Sequence, residues 1–497
     1  MRRSLLLFAV LVPLTACTTL SNTARSYMTA SNGLQVDDDR VRTLLHRGMA
    51  DSALRALNNR KSALSPDDRL LRLLYQGTVA RYAGRSRQAG SLFDQAYAVS
   101  EDRYTKSVSR TAASMLTNDL ALPYTAGQNE RLLLHYNALL AWSASGDSDA
   151  AAVEARRLVS LLARLGEPSD DERAMRAVLL TLAAAAFEQA GDWNDAGVAR
   201  RNAVRLGAPL DSTWAPPGDS AGDLVVVIER GDVAHKVAVG LTVPIFSGDN
   251  LDRRSGSFAA ERLLGDIGAL RNGGVWWDDT PSWRFTDTRY GPWRGARASY
   301  LLDMSWPVLR RDAVATRGSV SVVAGSARVE SMLNASLSDA LAADYRRDRG
   351  AIMTRTVARA VSKYLAARAM EAAVVAAASK DDAGDGKKKK KKNDDASKAA
   401  GVVARLVTNV ATTALERADT RAWALLPGTV SVVRMRIPAG THELLVDAAG
   451  TRQLSLPSVV VRAGRTTVVS ARLWDESGQR VRSMVERAAG HESAPER

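Results

Sequence analysis

The chain has few of the residues that make chemistry easy to recognise. Its 497 residues hold one cysteine, Cys17, so no internal disulfide can form and stability must come from ordinary apolar cores. Five histidines are present, His46, His135, His235, His442 and His491. None falls in a metal-ligand spacing or an HExxH frame, and a lone thiol excludes a Cys₂His₂ site. There is no GxSxG elbow, no P-loop and no Rossmann glycine fingerprint. Aromatic residues make up only 5% of the chain and are not interleaved with basic residues along one face, as a nucleic-acid surface requires. After the first few residues, no stretch stays apolar for the roughly twenty residues that a bilayer-spanning helix needs. These absences predict a non-enzymatic protein with no catalytic residue set, no metal, no cofactor and no nucleic-acid partner.

Charge is plentiful and unevenly placed. The net charge is +14, and six of the cations form one run, Lys387 to Lys392. The other basic residues are mostly arginines scattered beside Asp and Glu, the pattern of a solvated surface. Attraction to anionic lipid or acidic wall polymer is the second reading.

At the start, Arg2 and Arg3 precede an apolar run from Leu5 to Leu14, followed by Leu14-Thr15-Ala16-Cys17. This order reads as an export signal, and the tetrad resembles the bacterial lipobox. The resemblance implies that Cys17 is acylated and becomes the mature first residue. Thr18 in place of Asp implies sorting to the outer membrane, with the body lipid-anchored on the periplasmic side. At about 0.8 kcal/mol per buried CH₂, two or three acyl chains make a stable anchor.

The expected fold class is α+β, multidomain. It comprises an N-terminal solenoid of helical hairpins resembling tetratricopeptide repeats, a mixed α/β region and a small C-terminal β-sandwich-like module. The expected boundaries are a signal peptide at 1–16, a lipidated tether at 17–36, helical hairpins at 37–212 and a mixed α/β domain at 222–378. A disordered lysine-rich loop at 379–398, a helix plus β module at 399–475 and a tail at 476–497 follow. In the helical part the repeat pattern fits best at Leu180, Ala184, Phe187, Ala196, Ala203 and Pro209. Poorer copies align on an alanine five residues after a glycine: Gly48/Ala53, Gly84/Ala89 and Gly146/Ala151. A curved solenoid with a partner-binding concave face and a plain helical bundle both remain open. "APPGDSAGD" (215–223) is the expected domain break, and "DLVVVIERGDVAHKVAVGLTVPIF" reads as a β-hairpin or bent strand pair around Gly231-Asp232.

Several constellations merit weighing. "GGVWWDDTPSWRF" puts Asp278 and Asp279 beside tryptophans, an arrangement that could hold a sugar ring within a Trp-rich stretch, 275–293. Glu154 and Arg157 lie one helical turn apart, the spacing of a surface ion pair. Arg355, Arg359 and Lys363 recur every four residues, so one face would meet an acidic partner or pair with Asp344 and Asp348.

Three segments, "HYNALLAWSASGDSDAAAVEARRL", "GDLVVVIERGDVAHKVAVGLTVPI" and "ADTRAWALLPGTVSVVRMRIPAGTHELLV", resemble an uncharacterised family of Gram-negative outer-membrane lipoproteins with a tetratricopeptide-like half. The helix "TRTVARAVSKYLA" fits the same pattern. The matching positions are Tyr136, Asn137, Glu154, Arg156, Arg157, Gly231, Arg355, Arg359, Lys363, Asp419, Arg421, Trp423, Pro427 and Gly440. The resemblance implies a partner, since members are commonly encoded beside lipoproteins related to the curli secretion channel. The expected function is a scaffold or accessory subunit of an envelope secretion or assembly complex. Its partner-binding candidates are Tyr136, Asn137, Glu154, Arg156, Arg157, Arg355, Arg359, Lys363 and Trp423. The alternative is a peptidoglycan- or glycan-binding lipoprotein, including a regulator of cell-wall synthesis.

Overall fold

The computed structural model describes residues 40–58, 68–106, 122–210, 215–246, 298–310, 319–380, 418–448, 453–474 and 483–485. Cys17 and the tether, the Trp-rich stretch, the lysine run and the expected helix up to residue 417 lie outside the described residues. The described chain combines helices and several sheets, an α+β protein.

The helices come in pairs joined at a glycine. A helical segment at 40–46 leads to α1 (Ala50–Asn58), α2 (Arg69–Tyr82) to α3 (Ser86–Lys106), α4 (Gln128–Ala144) to α5 (Ser148–Arg164), and α6 (Asp170–Ala190) to α7 (Trp193–Arg205). The four corner glycines, Gly48, Gly84, Gly146 and Gly191, have φ of 70°, 73°, 80° and 84°, a left-handed backbone that a side chain resists. Each corner closes the preceding helix in the same way. Gly84 N–H donates to the Arg81 carbonyl at 3.0 Å, and Arg85 N–H to the Ala80 carbonyl at 2.9 Å. Five residues past each glycine, Ala53, Ala89, Ala151 and Ala196 are buried, and their small side chains let the paired helices approach closely.

Each helix packs against the next, and the pairs form two rows. α2, α4 and α6 make the inner row and are buried along most of their length. α5, in the outer row, buries only a stripe through Ala151, Ala155, Leu158 and Leu161. Beneath the inner row lies a five-stranded sheet of β1 (Ala221–Asp232), β6 (Leu333–Ser336), β7 (Pro427–Pro438), β10 (Thr466–Leu473) and β11 (Ser483–Val485), ordered β11-β10-β1-β7-β6. β1 runs parallel to β10, and the other neighbours are antiparallel. Val225, Val227, Val430, Val432 and Val468 share one core with the helices. On the opposite face, Leu224, Val226, Ile228, Val433 and Met435 pack on Val322, Leu444, Val446 and Leu456 of a second sheet. That sheet comprises β4 (Val320–Ala324), β5 (Ala327–Glu330), β8 (Gly440–Ala448) and β9 (Leu454–Val461), ordered β5-β4-β8-β9. Beside these four layers, β2 (His235–Phe246) and β3 (Ala298–Arg310) form a ribbon laid on the long helix α8 (Leu337–Lys380), with Met304 and Trp306 against Ala360, Tyr364 and Ala367.

Two expectations are corrected here. The stretch around Gly231-Asp232 is not a hairpin: β1 lies between β10 and β7, whereas β2 pairs with β3. The chain is diverted after Gly231 (φ 58°), where Val233 N–H donates to the Leu426 carbonyl, and Ala234 N–H to the Ser338 hydroxyl. The continuous apolar run of β1, Leu224 to Ile228, is buried on both faces because helices cover one side and a sheet the other.

The second correction concerns the division into domains at 37–212, 222–378 and 399–475. Strands from the last two segments interleave within both larger sheets, and the first segment shares its core with them. The turn at 215–223 therefore connects layers of one structure.

Candidate functional site

Most of the residues expected to face a partner lie inside. Arg81 of α2 donates from Nη2 to both oxygens of Glu229 on β1 at 2.8 Å, and Tyr136 of α4 donates its hydroxyl to Glu229 Oε1 at 2.7 Å. Burial, then the Glu229 charge, pushes the Tyr136 phenol well above its usual range, so it stays protonated as a donor. The trio pins two inner helices to the sheet. Asn137, also buried, donates Nδ2 to the Leu133 carbonyl at 2.8 Å. Trp423 is 1% exposed, donates Nε1 to Thr78 Oγ1 at 2.9 Å, and tilts against Phe93. Nearby, Arg421 donates to Asp68 at 2.9 Å and Asp419 at 2.8 Å, holding the segment ahead of β7 against the helices. Burial raises the Asp419 carboxyl, but the Arg421 hydrogen bonds and charge outweigh it and leave it below its ordinary value.

Glu154, Arg156 and Arg157 brace the helical rows. Buried Glu154 contacts His135 Nδ1 of α4 at 2.7 Å and pairs with Arg157. Arg157 also donates to Asp94 of α3 at 3.0 Å and lies over the Tyr97 ring. Arg156 reaches Asp192 at the α6–α7 corner at 2.5 Å. These residues border a cleft of about 260 Å³ lined by Tyr97, Glu101, Arg131, His135, Arg157 and Arg164, among others. Arg131, Arg156 and Arg157 each have carboxylate partners, which balances the charge around it.

The Arg355, Arg359 and Lys363 face of α8 is turned inward. Arg359 is 2% exposed, and Arg355 and Lys363 are half-buried, on the side carrying Thr356, Ala360 and Tyr364. Asp344, offered as their partner, belongs to a different cluster. It accepts Asn129 N–H at 2.7 Å at the start of α4 and pairs with Arg347. Arg347 donates to Glu172 of α6 at 2.9 Å, and Asn129 Nδ2 donates to Glu172 Oε1 at 2.8 Å. Burial pushes Asp344 up to about 7 against the lowering pull of Asn129 N–H and Arg347. Glu172 shows the opposite balance. Burial raises it, yet hydrogen bonds from Asn129, Ser169 and Arg347 together bring it down to about 2.

The sequence reading missed a second cleft, of about 450 Å³, where α6 and α7 meet the sheet. Its apolar walls include Ala184, Val204, Pro209, Leu210 and Met332, and among the described residues its polar lining holds Arg200, Arg201 and Arg434. Glu188, at the last turn of α6, sits behind it and ties the floor together. It accepts from Arg200 at 3.2 Å, Arg434 at 2.8 Å and Thr466 at 3.1 Å. Arg434 also donates to Asp223 at 2.6 Å, a carboxylate shared with Arg436 at 2.7 Å. Leu210 stands on the rim at 86% exposure. The available signal was an apolar Pro-Leu pair just beyond the last helix, in a stretch otherwise reading as linker.

Among the described residues no group of His, Cys, Asp or Glu is placed to hold a metal ion, and no helix is long and apolar enough to cross a membrane. No family model and no curated protein matches the chain. Among solved structures, the crystal structure of BtubC (BKLC) from P. vanneervenii is similar over 39% of this chain and 94% of that one, at 19% identity and a TM-score of 0.15. So slight a likeness carries no argument.

Proposed function

We propose that the protein is an outer-membrane lipoprotein acting as a non-enzymatic scaffold or accessory subunit of an envelope secretion or assembly complex. In this reading Cys17 carries the lipid, the body faces the periplasm, and the glycine-cornered helix pairs are degenerate tetratricopeptide-like repeats. The β-sandwich-like character expected of 399–475 is carried by two facing sheets, to which β7–β10 contribute together with β1, β4, β5 and β6. The segments that resemble the Gram-negative lipoprotein family support the same reading, and that resemblance implies a curli-secretion-channel-like lipoprotein as partner.

The observation that carries the proposal is the two-row helical layer. Its inner row is clamped to a sheet by buried ion pairs, and clefts lie between its helices and where α6 and α7 meet the sheet. A braced layer of this kind offers a shaped surface to another protein at little ordering cost. The grip lies in the clefts and outer helices, because the buried Tyr136, Asn137, Glu154, Arg359 and Trp423 are occupied holding the layers together.

Crosslinking in intact cells followed by mass spectrometry tests this reading. Reproducible recovery of an envelope lipoprotein or channel crosslinked to residues of α3, α5 or α7 is expected. Recovery of no envelope protein would sink it. Cys17→Ser tests the anchor separately: the variant should leave the membrane fraction, and unchanged sedimentation and mass would exclude acylation.

A further inference from the structure

We infer that the cleft between α3, α4 and α5 is a binding site for a small carboxylic acid that also carries an N–H or O–H donor. The scaffold reading requires no such ligand, so this site goes beyond it. One ground is a buried side chain with one end unused. His135 is 3% exposed and lines the cleft. Glu154 holds its Nδ1 at 2.7 Å, and a carboxylate, having only acceptor oxygens, fixes a proton on that nitrogen. Nε2, at the far edge of the ring, has no hydrogen-bond partner among the described residues. In the neutral ring it offers a lone pair, which water or a ligand donor must meet.

The other ground is a free cation. Arg164, in the last turn of α5, is exposed, lines the same cleft and forms no ion pair among the described residues. The neighbouring arginines are engaged: Arg131 with Glu101, Arg156 with Asp192, and Arg157 with Asp94 and Glu154. A ligand carboxylate is therefore drawn to the Arg164 fork, whose paired N–H donors match its two oxygens. Size and walls set the rest of the ligand. From Val153 to Arg164 the cleft follows about 16 Å of α5, at about 1.5 Å per residue. Its volume of about 260 Å³ lies just below the ~300 Å³ at which drug-sized pockets begin, so it takes a small molecule and not a partner's helix. Tyr97, Val153 and Leu161 supply apolar contact for the hydrocarbon between donor and acid.

The test uses the full chain and N-acetyl-L-leucine, which combines a carboxylate, an amide N–H and an apolar body. Isothermal titration calorimetry should show saturable binding at millimolar concentration. The corresponding amide, which lacks the charge, and the ester analogue with oxygen in place of the N–H should each bind roughly tenfold more weakly. Arg164→Gln should weaken the acid by roughly tenfold and leave the amide unchanged, with the same circular dichroism as the parent chain. His135 is tested without substitution, because it is buried. Diethyl pyrocarbonate should label it, as mapped by mass spectrometry, and N-acetyl-L-leucine should slow that labelling severalfold. A His135 that resists the reagent, equal binding of acid and amide, or no binding of the acid overturns the inference. The two proposals fail separately. An envelope partner crosslinked to the outer helices without acid binding keeps the scaffold and removes this site, whereas acid binding without an envelope partner does the reverse.

Discussion

Arg81 and Glu229 are each 1% exposed and meet at 2.8 Å in the seam between helices and sheet. A buried pair of this kind is costly to break one partner at a time, because the survivor is left charged and desolvated. Arg81→Met should therefore lower stability in urea unfolding by about 3–5 kcal/mol. The double variant with Glu229→Met should recover much of that loss; a double variant as weak as the sum of the singles would show that packing, and not charge, dominates. Asp344 behaves differently. Its folded value of about 7 lies above the ordinary 3.8, so between those values the folded state binds more protons than the unfolded state. Its contribution is thus fully present below 3.8 and is lost as pH rises to about 7. Asp344→Asn should flatten that decline, since an amide oxygen still accepts Asn129 N–H. Glu172, held at about 2, contributes in the opposite direction, and its share is lost as pH falls from 4.5 toward 2. Urea midpoints measured across pH 3 to 8 separate the two windows.

At the scale of single elements, the helix pairs were the most legible part of the chain. The Gly-x₄-Ala spacing found in the sequence marks a left-handed corner in all four pairs, because a helix stop and a close approach each demand a small residue. Gly84 has open space where a Cβ would go, so Gly84→Ala should cost only the backbone strain, about 1 kcal/mol in thermal or urea unfolding. Gly77 is the contrasting case: a Cβ there would come within 2.7 Å of the Phe93 ring. Gly77→Ala should destabilise more, and Phe93→Leu should partly rescue it; no rescue would mean the contact is not limiting. The strands were read less well. β1 has its partners about 200 and 240 residues downstream, as Val226 with Val433 and Val469, and no local turn signal reports pairings so distant. The functional candidates misled for a related reason. Tyr136, Glu154 and Trp423 stood out as polar or aromatic residues in a recognisable pattern, but that pattern records the bonds between layers. The arginine-rimmed cleft went unnoticed because its walls come from α6, α7, β7 and the turn before β6, which no single sequence window contains.

On the scale of the whole molecule, the apolar surface under α2, α4 and α6 is complete only when the five-stranded sheet is present. Residues 18–212 expressed alone should expose that surface, bind a hydrophobic dye such as anilinonaphthalene sulfonate and self-associate. A monomeric, cooperatively melting fragment would restore an independent helical domain. The parallel pairing of β1 with β10 has a consequence in time as well as in space. A strand from residues 466–473 flanks one near residue 225, so the central sheet has a gap until the chain has been made about 240 residues past β1. Earlier layers must wait, unfinished and sticky, for a late arrival. A stop codon introduced near residue 460 should accordingly be as ruinous as one before β7, and until β10 slides home the growing protein keeps an apolar edge of β1 in the open.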